Sequence, residues 1–134
     1  MIVQLRSRHG DRPGFSVNDV HDLEDLLRAV LALHYDDVRP ECRTPRYALA
    51  TRTDFILARD QVSVTAKLVH RDVRGPQLTE QFREDIAYYR SHGKCAAMVG
   101  FVYDPQSLLP DPRNLERAWS SNEDGLDASC IIAG

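Results

Sequence analysis

The sequence predicts an α/β domain in which a mixed β-sheet is flanked by helices. Two stretches carry apolar residues at helical spacing, and short runs rich in β-branched and aromatic residues lie between and after them, as expected of strands. The predicted order is helix, two or three strands, helix, strand, short helix, strand, which is typical of one sheet covered by helices. From the length of 134 residues we expect an N-terminal arm over residues 1–15 and a single domain over residues 16–134.

The first helix is predicted over about residues 17–34. Ser16 offers an N-cap, with Asp19 three residues later as a weak capping box. Pro40 prevents the helix from continuing. The residues that define its inner face recur at helical spacing and are Val20, Leu23, Leu27, Val30, Leu31 and His34.

Two or three strands are expected to follow the first helix, and the first of the three is the one that the sequence leaves open. The first lies within residues 41–49, and Pro45 would confine it to an edge of the sheet because proline cannot donate a ladder hydrogen bond. The segments "TDFIL" and "VSVTAKLV" are the second and third strands, separated by the polar "ARDQ".

The register of the second and third strands can be predicted from their turn. A loop centred on Arg59 and Asp60 pairs residues whose numbers sum to about 119, and opposite residues in an antiparallel pair share a face. Asp54, Thr65 and Lys67 are therefore expected on one face, opening to solvent. The other face is predicted to be core and carries Phe55, Leu57, Val62, Val64, Ala66 and Leu68.

The second half of the chain repeats the pattern of helix and strand. An amphipathic helix is predicted over about residues 77–91, and "CAAMVGFVY" reads as a strand covered on both faces. Asp111 as N-cap and Pro112 at the first helical position predict a short helix, in which Trp119 is a core residue. Ser120 and Ser121 are expected in a turn, and "LDASCII" forms the last strand.

Composition excludes several functional classes. The formal net charge of −3 gives no global basic field, so the charge leaves the choice of partner open. Cys42, Cys95 and Cys130 are far apart and lack zinc-ligand spacing, so we expect reduced cysteines that act as small core residues, in a cytoplasmic setting. Neither a signal peptide nor a membrane-spanning run is predicted.

Lys67 raises the functional question, because the chain has fifteen arginines and two lysines and places one lysine in an apolar strand. Beside Asp54 it has two interpretations. One is a structural ion pair at the edge of the sheet. The other is a phosphodiester site, in which a carboxylate binds a divalent cation and the compact ammonium stabilises the phosphate or positions water. The spacing is compatible with both.

Five segments carry a resemblance to a known family: "DDVRPE", "TRTDFIL", "VSVTAK", "LTEQFREDIAYYRSHGKC" and "VGFVYDP", in that order. Together they resemble the restriction-endonuclease-like domain of the DpnII/MboI type, in the PD-(D/E)XK nuclease superfamily. The resemblance runs from about Val17 to the final strand. It implies a restriction-endonuclease-like mixed sheet with an αβββαβ core flanked by helices.

The resemblance also implies roles for individual residues. Asp54 corresponds to the metal-binding aspartate, which would hold Mg²⁺ or Mn²⁺, and Lys67 to the catalytic lysine. Gln81 and Asp85, with Tyr89 one turn further on, match the helix that borders the site. The catalytic set is thus Asp54, Thr65, Lys67 and Gln81.

Two positions depart from the family pattern. Thr65 stands where the second acid belongs, and Val20 stands where the first helix usually carries a glutamate. Glu24 and Glu80 are the candidates for replacing the missing acids. The alternative is a site that binds no metal. Thr65→Glu is predicted to raise both metal affinity and cleavage.

The resemblance implies a nuclease-like domain that acts on DNA in a restriction, anti-phage defence or DNA-processing system, with weakened or lost cleavage. The alternatives are an inactive pseudo-nuclease that serves as a nucleic-acid-binding or assembly subunit, and a pure protein–protein module. Either a homodimer or a partner subunit is compatible with the sequence. Four arginines near the predicted site are candidates for phosphate contacts: Arg52, Arg71, Arg74 and Arg83.

Overall fold

One mixed six-stranded sheet organises the computed structural model, with strands in the order β1-β2-β3-β4-β6-β5. The structure describes residues 10, 12, 16–48, 50–92, 95–123 and 125–134. The predicted arm therefore lies outside the described residues, except for Gly10 and Arg12. The strands are β1 (Val38–Arg43), β2 (Arg52–Leu57), β3 (Val62–Leu68), β4 (Ala97–Tyr103), β5 (Ser121–Glu123) and β6 (Leu126–Ala133).

Three helices in the described part of the chain flank this sheet: α1 (Val20–His34), α2 (Gly75–His92) and α3 (Pro112–Trp119). Strands β1, β2 and β3 pair antiparallel, β4 runs parallel to β3 and β6, and β5 pairs antiparallel with β6. The predicted α/β fold with a mixed sheet is confirmed. No helix among the described residues has the length and apolar character needed to cross a membrane.

The predicted hairpin register is also confirmed. Leu57 pairs with Val62, and Phe55 pairs with Val64, so paired residue numbers have the expected sum. Continuing this register by one pair places Asp54 opposite Thr65. Side chains alternate along a strand, so the two central strands present one apolar face and one polar face.

The ends of two helices differ from the prediction. The first helix begins at Val20 rather than near residue 17, because the N-cap is Asp19, whose side chain accepts a 2.9 Å hydrogen bond from the Asp22 amide. The predicted Ser16 cap is wrong. Asp111 does occupy the N-cap position of α3, but it adopts a left-handed backbone (φ 46°) and its side chain makes no capping hydrogen bond.

Two strands also differ. β1 begins at Val38 and ends at Arg43, before Pro45, and it does lie at an edge of the sheet. The predicted turn at Ser120 and Ser121 is wrong at its second residue, because Ser121 begins the short strand β5 and pairs with Ala128. The sequence did not predict β5 because its three residues are all polar and show no alternation typical of a strand.

The core lies on both sides of the sheet. On one side, α1 packs Leu23 against Ala66 and Tyr103. On the other side, α2 and α3 meet, and Phe82 stacks on Trp119 with ring centroids 5.2 Å apart. Trp119 is therefore a core residue, as predicted. Its indole Nε1 donates a 2.9 Å hydrogen bond to the Thr79 hydroxyl, which satisfies the buried donor.

Gly100 provides a test of the packing between α2 and the sheet. A Cβ atom at this position would overlap the Phe82 ring, whose Cζ would lie 2.6 Å away. We expect Gly100→Ala to destabilise the fold by ~1–3 kcal/mol, the usual cost of overpacking a core. Urea denaturation measures this change. Gly75→Ala is the matched control, because nothing lies within 4 Å of its added Cβ; equal stability of the two variants would contradict the packing.

The cysteines give a second test, and one expectation about them is wrong. Cys42 is exposed on the edge strand rather than in the core, whereas Cys130 is buried, and burial raises the pKa of its thiol to about 12. None of the three forms a disulfide bond within the part of the chain that the structure describes. At about pH 8 we expect a thiol reagent to modify Cys42 rapidly and Cys130 only on unfolding, because the thiolate is the nucleophile. Mass spectrometry of time points measures the order, and early modification of Cys130 would contradict its burial.

Candidate functional site: a buried ion-pair network

Asp54, Thr65 and Lys67 lie on the same face of the sheet, as predicted, but they do not open to solvent. Their exposed fractions are 3%, 0% and 5%. The expectation of an open patch is wrong because α2 lies over this face and bonds to it: Tyr89 donates to Asp54, and Lys67 donates to Asp85. The polar residues of the two strands therefore form a buried layer between the sheet and α2.

Asp54 is held by two donors on a single carboxylate oxygen. The Nε of Arg43 lies 2.8 Å from Oδ2, and the hydroxyl of Tyr89 lies 2.6 Å from the same atom. Arg43 comes from β1 and Tyr89 from α2. Three elements thus converge on Asp54.

Asp85 is the second carboxylate of the network and is completely buried. Its Oδ2 accepts a 2.5 Å hydrogen bond from the Nζ of Lys67. Its Oδ1 accepts from the Tyr47 hydroxyl at 2.5 Å and from Nη2 of Arg43. Lys67 also donates to the Tyr47 hydroxyl at 2.9 Å. A direct Asp54–Lys67 ion pair, one of the two interpretations of their spacing, does not form, because Asp54 pairs with Arg43 and Lys67 pairs with Asp85.

Two carboxylates and two cationic side chains make the network formally neutral. Burial favours a lower pKa for Arg43, but the charges of Asp54 and Asp85 outweigh it and raise the pKa. Burial also raises the pKa of Asp54, although Arg43 and the Tyr89 hydroxyl oppose this shift. Burial and then the Asp85 charge raise the pKa of Tyr47, so its hydroxyl remains protonated and able to donate.

Neither of the two expected replacement acids belongs to this network. Glu24 lies on α1, where its Oε1 accepts a 3.2 Å hydrogen bond from the Thr53 amide and its Oε2 lies 3.2 Å from the His21 ring. Glu80 is exposed and accepts a 2.6 Å bond from Arg83. Asp85 is instead linked to Asp54 through Arg43, whose guanidinium contacts both carboxylates.

A cleft of about 390 Å³ opens beside Lys67. Arg52 and Gln81, both predicted site residues, line it, and so does Val20 from the beginning of α1. The first helix therefore borders the site, as the family pattern implies. The remaining lining residues come from the start of α1, β3 and the loops: Asn18, Asp19, His21, Tyr47, Ala66, Lys67, Leu68, His70 and Val73.

The other predicted arginines lie in different surroundings. Arg71 and Arg74 are exposed in the loop before α2, where the Nε of Arg74 donates a 3.1 Å hydrogen bond to the Arg71 carbonyl. This loop also contributes His70 and Val73 to the cleft. Arg83 is exposed on α2 and pairs with Glu80. The structure thus brings Arg52 to the cleft and Arg71 and Arg74 to its border, but pairs Arg83 elsewhere.

Arg43 and Tyr47 are site residues that the sequence prediction missed. Arg43 is the last residue of an edge strand, and Tyr47 lies in the loop that follows. The β1–β2 pairing places Glu41 opposite Asp54 and Arg43 opposite Arg52, on the polar face. This pairing could not be predicted because the sequence placed the strand within residues 41–49, whereas β1 begins at Val38 and ends at Arg43.

Comparison with known proteins identifies the family. A model of the DpnII-MboI restriction endonucleases, described as REase_DpnII-MboI, matches residues 2–134. The chain belongs to the DpnII-MboI restriction-endonuclease family. No curated protein and no solved structure matched it. The family is one of DNA-cleaving, nuclease-like domains that typically use a divalent metal.

The donor set of this DpnII-MboI family member does not fit a divalent cation. Hard cations select anionic oxygens, and the Asp54 oxygen at the centre of the site already accepts from a guanidinium and a tyrosine hydroxyl. A cation placed there would meet the positive charge of Arg43. Within the described ranges, no group of three or more histidine, cysteine, aspartate or glutamate side chains could hold a metal ion.

Proposed function

We propose that this chain is a DNA-binding domain of the restriction-endonuclease family that has lost metal-dependent cleavage. The observation that carries the proposal is the neutralised centre. Asp54, to which the resemblance assigns the metal-binding role, is bonded to Arg43, and Lys67, to which it assigns the role of the catalytic lysine, is bonded to Asp85. The domain then contributes DNA binding to a restriction, anti-phage defence or DNA-processing system, for which a cytoplasmic setting remains a prediction.

The chemistry of phosphodiester cleavage explains why this arrangement argues against activity. A divalent cation activates water and neutralises charge that develops on the phosphate. Thr65 supplies a neutral hydroxyl in place of the second acid, and its Oγ1 is buried without a hydrogen-bond partner. Lys67 is 5% exposed and has both a carboxylate and a phenol as partners. Its ammonium is therefore committed to the interior rather than to a phosphate.

The cleft and the loop before α2 are the surface that we assign to DNA. Arg52 lines the cleft, and Arg71 and Arg74 are exposed at its border. Guanidinium groups bind phosphate oxygens well because their planar fork matches the phosphate geometry. Such contacts position the protein on the duplex but do not read the bases.

Binding can be tested by measuring affinity for duplex DNA at several salt concentrations. We expect affinity to fall steeply with salt, because each neutralised phosphate releases counterions. Arg71→Ala and Arg74→Ala should weaken binding about equally for all sequences and reduce the salt slope by ~1 each. Arg59→Ala is the matched control, because Arg59 is an exposed arginine in the β2–β3 turn, away from the cleft. Absence of binding at low salt would instead favour a protein–protein module.

Cleavage is tested separately. We expect no product from duplex DNA with Mg²⁺ or Mn²⁺ under conditions in which the protein binds DNA. Cleavage that disappears in Asp54→Ala would refute the proposal. If cleavage also disappears in Asp85→Asn, then Asp85 has taken the role of the missing acid.

A further inference from the structure

We propose that Arg43 is a built-in substitute for the divalent cation, and that Asp54 and Asp85 are the carboxylate pair that would bind a cation in its place. This inference rests on the proposed loss of the metal and is independent of DNA binding. It assigns the second ligand to a residue of α2 rather than to position 65 of β3.

The guanidinium of Arg43 bridges the two carboxylates. Two nitrogens of Arg43 bond to two different carboxylates: Nε to Oδ2 of Asp54 at 2.8 Å, and Nη2 to Oδ1 of Asp85. The two oxygens are therefore separated by the width of one guanidinium fork. One carboxylate belongs to β2 and the other to α2, so the Arg43 guanidinium contacts both the sheet and the helix. A divalent cation with carboxylate ligands makes the same kind of junction.

The charge balance of the network requires a cation at the position of the Arg43 guanidinium. The network contains two carboxylates, one guanidinium and one ammonium, and all four groups are buried. Removing the guanidinium would leave one uncompensated negative charge between the sheet and α2, at the place where two anionic oxygens already converge. Buried charge without a partner is costly, so the altered site has a strong preference for a cation.

The position of Arg43 is fixed by its surroundings. Its side chain is 8% exposed, and its guanidinium lies 4.6 Å from the centre of the Tyr88 ring. Stacking on an aromatic face and a two-pronged bond to carboxylates are properties of arginine that lysine does not reproduce. Arg43 is thus built into the site and is not a surface side chain that folds over it.

The experiment measures Mn²⁺ binding to wild type and to Arg43→Gln by calorimetry and by thermal denaturation. Glutamine keeps hydrogen-bonding capacity but removes the charge. We expect no Mn²⁺-dependent shift of the melting temperature for wild type. For Arg43→Gln we expect a clear upward shift and Mn²⁺ affinity at least roughly tenfold above wild type, because affinity follows the net charge of the ligand set.

Three variants control this result. Arg43→Gln combined with Asp54→Asn, or with Asp85→Asn, should lose the Mn²⁺ response, because each removes one of the two ligands. Arg39 lies on the same strand as Arg43, but its side chain is exposed and pairs with Asp37. The Arg39→Gln variant should therefore respond to Mn²⁺ as wild type does. A response that survives Asp85→Asn would show that Asp85 is not a ligand and would overturn the inference.

A second outcome is that Arg43→Gln does not fold in the absence of metal. In that case we expect Mn²⁺ to restore the far-ultraviolet circular dichroism of the folded protein, and failure to restore it overturns the inference. Arg43→Lys keeps one internal positive charge and should remain unresponsive to Mn²⁺; a response equal to that of Arg43→Gln would show that charge is not the determinant. Tight Mn²⁺ binding by wild type would refute the proposed function itself, whereas an unresponsive Arg43→Gln refutes only this inference.

Discussion

Asp85→Ala is expected to destabilise the folded protein by ~3–5 kcal/mol, because it leaves the buried Lys67 ammonium without its carboxylate partner. The carboxylate is completely buried and accepts hydrogen bonds from Arg43, Tyr47 and Lys67. Without it, the Lys67 ammonium keeps the neutral Tyr47 hydroxyl as a hydrogen-bond partner in the network. Chemical denaturation of wild type and variant measures the difference in the free energy of unfolding.

Glu80→Ala is the matched control on the same helix. Glu80 also pairs with a cation, but the two side chains are 67% and 71% exposed, and such pairs contribute ~0–1 kcal/mol. A second comparison identifies the cause of the loss. Lys67→Met combined with Asp85→Leu removes both charges of one pair, and it should be more stable than Asp85→Ala, because no buried ammonium is then left unpaired. A double variant less stable than Asp85→Ala would contradict this explanation.

The parts of the fold that follow from periodicity were predictable. The apolar stripe of α2, which includes Leu78 and Phe82, repeats at helical spacing, and both residues are buried in the core. The β2–β3 register followed from the position of the turn, and it placed Asp54 and Lys67 on one face. Local sequence determines these features because strand alternation and helix repeat operate over a few residues.

The partners within the site were not predictable in the same way. Arg43 reaches Asp54 across 11 positions and Asp85 across 42 positions. Such contacts depend on the position of α2 along the sheet, and no repeat in the sequence encodes that position. A strand face with Ser63, Thr65 and Lys67 resembles a solvent-exposed face, because polar residues are usually exposed. The face is buried because α2 supplies its own polar groups to it.

The caps and the edge of the sheet were missed for local reasons. Both Ser16 and Asp19 are residue types that cap helices, and the side chain of Asp19 makes the bond that decides the helix start. β5 has three residues and is defined by its pairing with β6, not by a pattern of its own. Features that depend on one hydrogen bond or on one neighbouring strand carry weak sequence signals.

Combining Thr65→Glu with Arg43→Gln is expected to give the largest gain of cation binding. Continuing the β2–β3 register places position 65 opposite Asp54, so the new carboxylate would join Asp54 and Asp85. With Lys67 present, the site would then carry a formal charge of about −2, which a divalent cation neutralises. We expect Mn²⁺ affinity above that of Arg43→Gln alone, measured by calorimetry.

Thr65→Glu alone should not bind Mn²⁺, because Arg43 still occupies the position between the carboxylates, and this is the condition that the structure adds to the sequence prediction. Thr65 is completely buried, so the single variant also adds an unpaired internal charge and should be destabilised by ~3–5 kcal/mol. Mn²⁺ should restore stability to the double variant but not to Thr65→Glu. If Thr65→Glu alone binds Mn²⁺ as tightly as the double variant, then the missing acid, and not Arg43, is what excludes the metal.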